Sequence, residues 1–407
     1  MSSPKLGFRT VLRNRQYLLW TASANVASVG YSVYAISIVW LTYTATHSYA
    51  IVGVVLFVEY AAYAGTFLIA PFVDRVQNQR TIYLVCYPVQ AAAAAALGVA
   101  ASRGVLTIPL LVGLIVLISV LWDLAWAAYN AAPRLLLTRE ELFAAGGVSG
   151  AIGGANSIAG YATGGVLILV VGAAGGMYLY AVLLGLGAIL ALGLRIHPRP
   201  SPDTGFGESF REGWRATVAG TGRPLLQLAS VDAVQGFFTS GTPLFITLIS
   251  ITTFAVSRSA YGLLFTVYVV GGVAADLALG WINPRRQAGV IMVGTLLAGG
   301  VAFAIVGAVP AVLVVVALMW LVLGIFLPSY SDAKYAFLRG SVDANKLGRV
   351  TSNLYLFPGI SSAVGALVLG GLASNVTPFY FGLVLGAGFL AAGTLAIALP
   401  GVRLLRY

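Results

Sequence analysis

The sequence predicts an all-α membrane protein of twelve transmembrane helices arranged as two six-helix bundles. Three observations predict it: too little charge to cover a water-facing surface, about twelve apolar runs of spanning length, and a sorting of basic residues to alternate connections. Of 407 residues, 59% are apolar and 9% are charged. Soluble domains carry roughly 25% charged residues, so lipid must be the main solvent of this surface. A spanning helix needs about 20 apolar residues, and twelve fit into this length only if most loops are short.

The runs justify the count in order. They fall at about 17–44, 49–73, 81–101, 107–130, 143–171 and 177–194, then resume at about 225–254, 259–282, 287–309, 311–329, 350–374 and 379–399. Turn signals such as Asn283-Pro284 and Val309-Pro310 separate them. With the N-terminus in the cytoplasm, all but two of the 23 Lys and Arg residues fall in inner segments, and none is expected inside a span. Arg103 and Arg258 are the exceptions. Positive charge is retained on the cytoplasmic side, and one span more or fewer would scramble this sorting. The expectation is a multi-pass protein of the cell (inner) membrane with both termini cytoplasmic.

The longest polar stretch, about 195–224, holds Pro198, Pro200 and Pro202 with five basic residues, and it divides the runs six and six. The expected organisation is an N-terminal six-helix bundle over 1–196, a cytoplasmic linker over 197–224 and a C-terminal six-helix bundle over 225–407. Two such halves suggest parallel repeats with a solute site between them.

Other function classes find little support. The net charge of +11 is dealt out singly or in pairs rather than clustered as a nucleic-acid face requires. His47, His197 and Cys86 make no metal-ligand cluster or nucleophilic set, so no metal, cofactor or enzyme activity is expected. The glycine-rich run at 146–165 is not followed by the Lys-Ser/Thr of a phosphate loop. No ATP-binding domain is visible, so a gradient is the expected energy source. The expected partners are membrane lipid, a small-molecule substrate and protons, with the chain a monomer.

Several segments resemble the major facilitator superfamily, and most closely its drug-efflux and siderophore-exporter branch. Ala70-Pro71-Phe72-Val73-Asp74-Arg75-Val76-Gln77-Asn78-Gln79-Arg80 is similar to that superfamily's signature between spans two and three, with Asp74, Arg75 and Arg80 kept and both glycines lost. The stretch from Pro133 to Leu142 resembles the loop after span four. Gly160-Tyr161-Ala162-Thr163-Gly164-Gly165 resembles the exporter signature of span five, with Tyr161 in place of proline. Gly348-Arg349-Val350-Thr351-Ser352 fits the entry to span eleven. The membrane arginine that many drug/proton antiporters carry in span four is missing. The resemblance implies a secondary exporter of a small amphipathic organic solute, drug- or siderophore-like, working by proton antiport and alternating access. It also implies that Asp74, Arg75 and Arg80 gate the inner side, Asp74 by facing the N-terminus of span eleven, where the helix dipole favours negative charge.

Polar residues within spans usually face a bundle interior or a wet cavity. Thr21, Asn25, Ser28 and Ser32 recur at helical spacing in span one, with Tyr31 nearby; Ser119, Asp123, Trp126 and Asn130 do so in span four, and Asp232, Gln235, Thr239 and Thr242 in span seven. Asn25, Ser28, Tyr31, Trp126, Asn130, Asp232 and Gln235 are the candidate substrate-binding residues. Ser, Thr and Asn also serve as ordinary interhelical hydrogen-bonders. Glu59 lies near the middle of span two, where a charged carboxylate costs about 3 kcal/mol. It is expected, with Asp123, to bind and release protons during the cycle; the alternative is a neutral hydrogen-bond donor throughout. An importer, a lipid or metal carrier, and a non-transporting membrane sensor remain the competing readings.

Overall fold

The computed structural model describes residues 13–73, 75–76, 78–131, 133–137, 139–195, 222–254, 258–282, 288–309, 312–341 and 344–403. Among these residues the regular structure is entirely helical. The helices are α1 (Arg15–Thr46), α2 (Tyr49–Val73), α3 (Gln79–Ser102), α4 (Ile108–Ala131), α5 (Arg139–Leu192), α6 (Gly222–Thr239), α7 (Thr242–Thr252), α8 (Arg258–Ile282), α9 (Ala288–Ala308), α10 (Leu313–Ser341), α11 (Ala344–Ala373) and α12 (Pro378–Ala398). One-turn helices at Pro133–Leu136 and Pro400–Arg403 complete the set.

Local chemistry explains where the elements begin and end. The first helix opens on Asn14, whose Oδ1 accepts from the backbone N–H groups of Gln16 and Tyr17, both at 3.1 Å. An asparagine in that place satisfies donors that have no partner inside the helix. Asn78 caps α3 in the same way, accepting from Arg80 N–H at 3.2 Å. The long helix α5 is two spans joined at Gly172, whose φ of 74° is cheap only for a residue without a side chain. The run expected at 225–254 is likewise two helices. Gly241 and Pro243 separate α6 from α7, with Pro243 in the first turn of α7, where its missing N–H costs nothing.

Ten helical stretches among the described residues are long and apolar enough to cross a membrane. The arm of α5 before Gly172, together with α8 and its apolar segment Ala260–Ala275, brings the architecture to the dozen read from the sequence. The surface agrees with a lipid solvent. Val182 and Ile189, seven residues apart on α5, are 57% and 63% exposed, and Val314 and Leu318, four apart on α10, are 68% and 53% exposed. These are apolar stripes facing outward, as only a multi-pass membrane protein tolerates on this scale.

The sequence reading is also corrected at the end of span ten. It ends span ten at 329 and leaves Lys334 in the following loop, with no cation inside any span. The structure carries α10 on to Ser341, and Lys334 is buried within it at 7% exposure. The physical reason is a buried partner on α6, described below.

By contacts the chain forms two compact units, one of Met1–Leu41 with Leu68–Phe206 and one of Thr42–Phe67 with Gly207–Tyr407. Most of α2 counts with the second unit because it lies close along α11. A Cβ placed on Gly53 would stand 2.5 Å from the Ala366 carbonyl oxygen, and one on Gly370 would stand 2.7 Å from Gly53 Cα. Only glycines allow backbones this near. The second unit is centred on the rings of Phe245, Phe303, Trp320 and Phe381, with centroid separations of 5.8 Å (Phe245–Phe381) to 6.2 Å (Phe303–Trp320). The expected linker, 197–224, falls almost wholly outside the described residues.

Candidate functional site

The first unit carries a polar and aromatic face built by α1 and α4. On α1, Thr21 and Ser32 are buried, while Asn25 and Ser28 are half-buried. Asn25 is held from two sides: its Nδ2 donates to the Thr21 carbonyl at 2.6 Å, and its Oδ1 accepts from Nδ2 of Asn156 on α5. Ser32 Oγ donates within its own helix, to the Ser28 carbonyl at 3.2 Å. The glycine at 160, read as part of an exporter signature, lies against this face. A Cβ there would stand 2.5 Å from Ser32 Cβ, so its role on view is close packing of α5 on α1.

On α4, Ser119 and Asp123 are buried at 5% and 4% exposure, whereas Trp126 is 40% exposed. Asn130 spends its Nδ2 on the Trp126 carbonyl, 3.0 Å away. Trp122, Trp126 and Tyr129 follow at intervals of four and three, so they share one helix face. Their rings join others into a run. Tyr31 stacks on Trp122 at 4.0 Å and 7°, Trp122 lies 6.3 Å from Trp126, Trp126 lies 5.2 Å from Tyr129, and Tyr129 stacks on Trp20 at 4.5 Å. Every interplanar angle in the run is 18° or less. Such a run offers flat apolar faces with the carboxyl of Asp123 on the same helix.

The second unit holds a buried charge cluster. Asp232 on α6 is fully enclosed. Its Oδ1 accepts from the Tyr330 hydroxyl at 2.6 Å, and its Oδ2 pairs with Lys334 Nζ at 3.1 Å. Tyr330 and Lys334 sit four apart on α10 and so project from one side of the helix. Two hydroxyls from α11 tie α6 in place. Ser362 Oγ donates to the Gly236 carbonyl at 2.8 Å, and Ser361 Oγ donates to that of Ala233. Gln235 turns its Nε2 to Thr239 Oγ1 at 2.7 Å.

The remaining expected site residues are scattered. Glu59 is half-buried on α2 with its Oε1 shut off from solvent; it belongs to the second unit, and Asp123 to the first. Asp74 lies outside the described residues. Arg75 occupies the turn after α2. Arg80, at the start of α3, donates from Nη2 to the carbonyl of Leu192, the last residue of α5, at 2.8 Å. A cation there satisfies a terminal carbonyl and the negative end of the helix dipole.

Lys334, Tyr330 and Asn156 are absent from the sequence reading. For the first two a signal exists: an aspartate in the middle of span seven needs a counter-charge. The spacing Tyr330, Lys334, Phe337 continues the helical register past the polar residues that close the apolar run. No comparable signal marks Asn156.

No protein-family profile and no curated protein matches this sequence. Solved structures do match it. A point mutant of the nucleoside transporter NupG is similar with a TM-score of 0.71 and 13% identity, covering 93% of this chain and 99% of that one. A POT family transporter in complex with 5-aminolevulinic acid reaches a TM-score of 0.76 at 11% identity, over 94% of this chain and 96% of that one. A POT family transporter in complex with a thioalcohol-conjugated peptide gives 0.75 at 11% identity, over 93% and 95%. At such identities the likeness establishes the fold. It is the major facilitator fold.

Proposed function

We propose that this chain is a secondary active transporter that exports a small amphipathic organic solute, drug- or siderophore-like, by proton antiport through alternating access. The observation that carries the reading is the aromatic run from Tyr31 through Trp122 and Trp126, with buried Asp123 on the same helix as the two tryptophans. It pairs flat apolar surface with a carboxyl group inside a membrane bundle. The fold shared with the nucleoside and POT family transporters supports transport as the activity.

In this reading Asn25, Ser28, Tyr31, Trp126 and Asn130 hold the solute, and Gln235 and Asp232 contribute from α6, Asp232 through Lys334. Glu59 and Asp123 exchange protons. Holding a charged carboxylate in the membrane costs about 3 kcal/mol, comparable with the roughly 2.3 kcal/mol that a 100 mV potential supplies per charge moved. Asp74, Arg75 and Arg80 act at the cytoplasmic gate. The protein works in the inner membrane as a monomer with both termini cytoplasmic.

The test is reconstitution of the full chain in liposomes with an imposed pH gradient, with drugs, siderophores and sugars screened for counterflow. Solute-dependent proton movement is expected. Glu59→Gln should abolish gradient-driven transport and leave solute exchange intact. Unchanged proton coupling in that variant refutes the role of Glu59, and proton leak without solute dependence refutes antiport.

A further inference from the structure

Asp232 and Lys334 make a buried ion pair, and its two members are placed unequally. The carboxylate is fully enclosed and both of its oxygens are engaged, by Tyr330 and by Lys334. Lys334 as a residue keeps 7% exposure. It carries three donors, and among the described residues its hydrogen bond goes to Asp232 alone. Its other close neighbours are the rings of Tyr330 and Tyr335, with centroids at 5.7 and 5.4 Å. A ring face attracts a cation but leaves room for a true acceptor. The spare donors of the cluster are therefore on Lys334, which is also its less enclosed member.

We infer that Lys334 is an anion-binding residue of the transport path, recognising a carboxylate-like group on the solute, with Asp232 and Tyr330 as its positioning residues. A buried cation without a counter-charge is costly. Asp232 offsets that cost and keeps Lys334 aimed. An incoming carboxylate then finds its donors on Lys334, since Asp232 is fully enclosed.

The surroundings suit the rest of such a solute. Tyr335 packs on Tyr355 of α11 at 5.9 Å, and Tyr355 packs on Tyr63 of α2 at 5.5 Å. The ammonium thus stands at one end of a row of tyrosine rings whose far end, Tyr63, is 36% exposed. The row is an apolar wall with polar tips. The class of solute is an amphipathic organic monoanion. The inference rests on the transporter reading and narrows it.

Equilibrium binding to the full chain in nanodiscs, without any gradient, tests it with three probes of one shape: 3-phenylpropionate, its neutral amide 3-phenylpropanamide, and the cationic 3-phenylpropylamine. The wild type should bind 3-phenylpropionate roughly tenfold tighter than the other two, the worth of one charge-assisted hydrogen bond. Lys334→Arg should keep the preference. Lys334→Gln combined with Asp232→Asn, which leaves no unpaired charge behind, should bring 3-phenylpropionate down to the level of the amide. A wild type without the carboxylate preference, whether by equal binding or by none, overturns the inference, as does a preference that survives in the double variant. Proton-driven transport that persists in liposomes alongside such a result sinks this inference alone; loss of both sinks the transporter reading as well.

Discussion

Removing one member of the Asp232–Lys334 pair should cost far more than removing both. The charges lie 3.1 Å apart, which corresponds to about 5 kcal/mol of attraction at an effective dielectric of about 20. Most of that offsets the loss of hydration of two buried ions. Lys334→Met leaves a fully enclosed carboxylate with only the Tyr330 hydroxyl, and the expected loss is about 3–5 kcal/mol. Asp232→Asn is milder, about 2 kcal/mol, because an amide oxygen still accepts from Lys334. The double variant should return to within about 1 kcal/mol of wild type, so the coupling in a double-mutant cycle is about 3 kcal/mol or more. Reversible unfolding of the purified chain in mixed micelles, followed as folded fraction against SDS, measures all four corners of the cycle. A loss below about 1 kcal/mol for Lys334→Met, or single effects that simply add, would show that the pair is not buried as described.

Other perturbations probe the elements around it. Tyr330→Phe removes a hydrogen bond to a charged group and should cost about 1.5–3 kcal/mol in the same unfolding assay; no change means the hydroxyl is not donating to Asp232. Gly172→Ala forces a Cβ into the left-handed region and should cost about 1–2 kcal/mol; a neutral result speaks against the bend in α5. Gly370→Val sets a side chain against the backbone of Gly53 and should lower stability by about 1–3 kcal/mol, with solute counterflow lost in liposomes. Trp122→Ala unstacks Tyr31 and should weaken binding of an aryl solute about three- to tenfold, read from quenching of the remaining tryptophan fluorescence; unchanged affinity would remove the aromatic run from the site.

The membrane character and the number of spans are legible in the amino-acid order because both depend on local quantities. Twenty apolar residues in succession have one comfortable solvent, and Lys and Arg between them record which side each loop stays on. The face on α1 that carries Asn25 and the one on α4 that carries Asp123 were also legible, since each lies within a single helix at a period near 3.6. The end of span ten was misread for the opposite reason. Ser329, Ser331, Asp332 and Lys334 look like a loop when each is weighed by its own cost in lipid. Lys334 pairs with a carboxylate 102 positions earlier in the chain, and pairing removes the cost.

The same division holds across the molecule. By itself the sequence determined the solvent, the apolar spans and the break near Gly172, because hydropathy, turn chemistry and the missing Cβ act over a few residues; the break at Gly241 and Pro243, inside the run expected at 225–254, came only with the structure. Only the tertiary structure decided that Tyr31 lies flat on Trp122, that Asn156 reaches Asn25, and that Lys334 is a buried ammonium rather than a loop charge. Those contacts join helices far apart in the chain, and a polar group's cost inside a membrane depends on the partner it meets there.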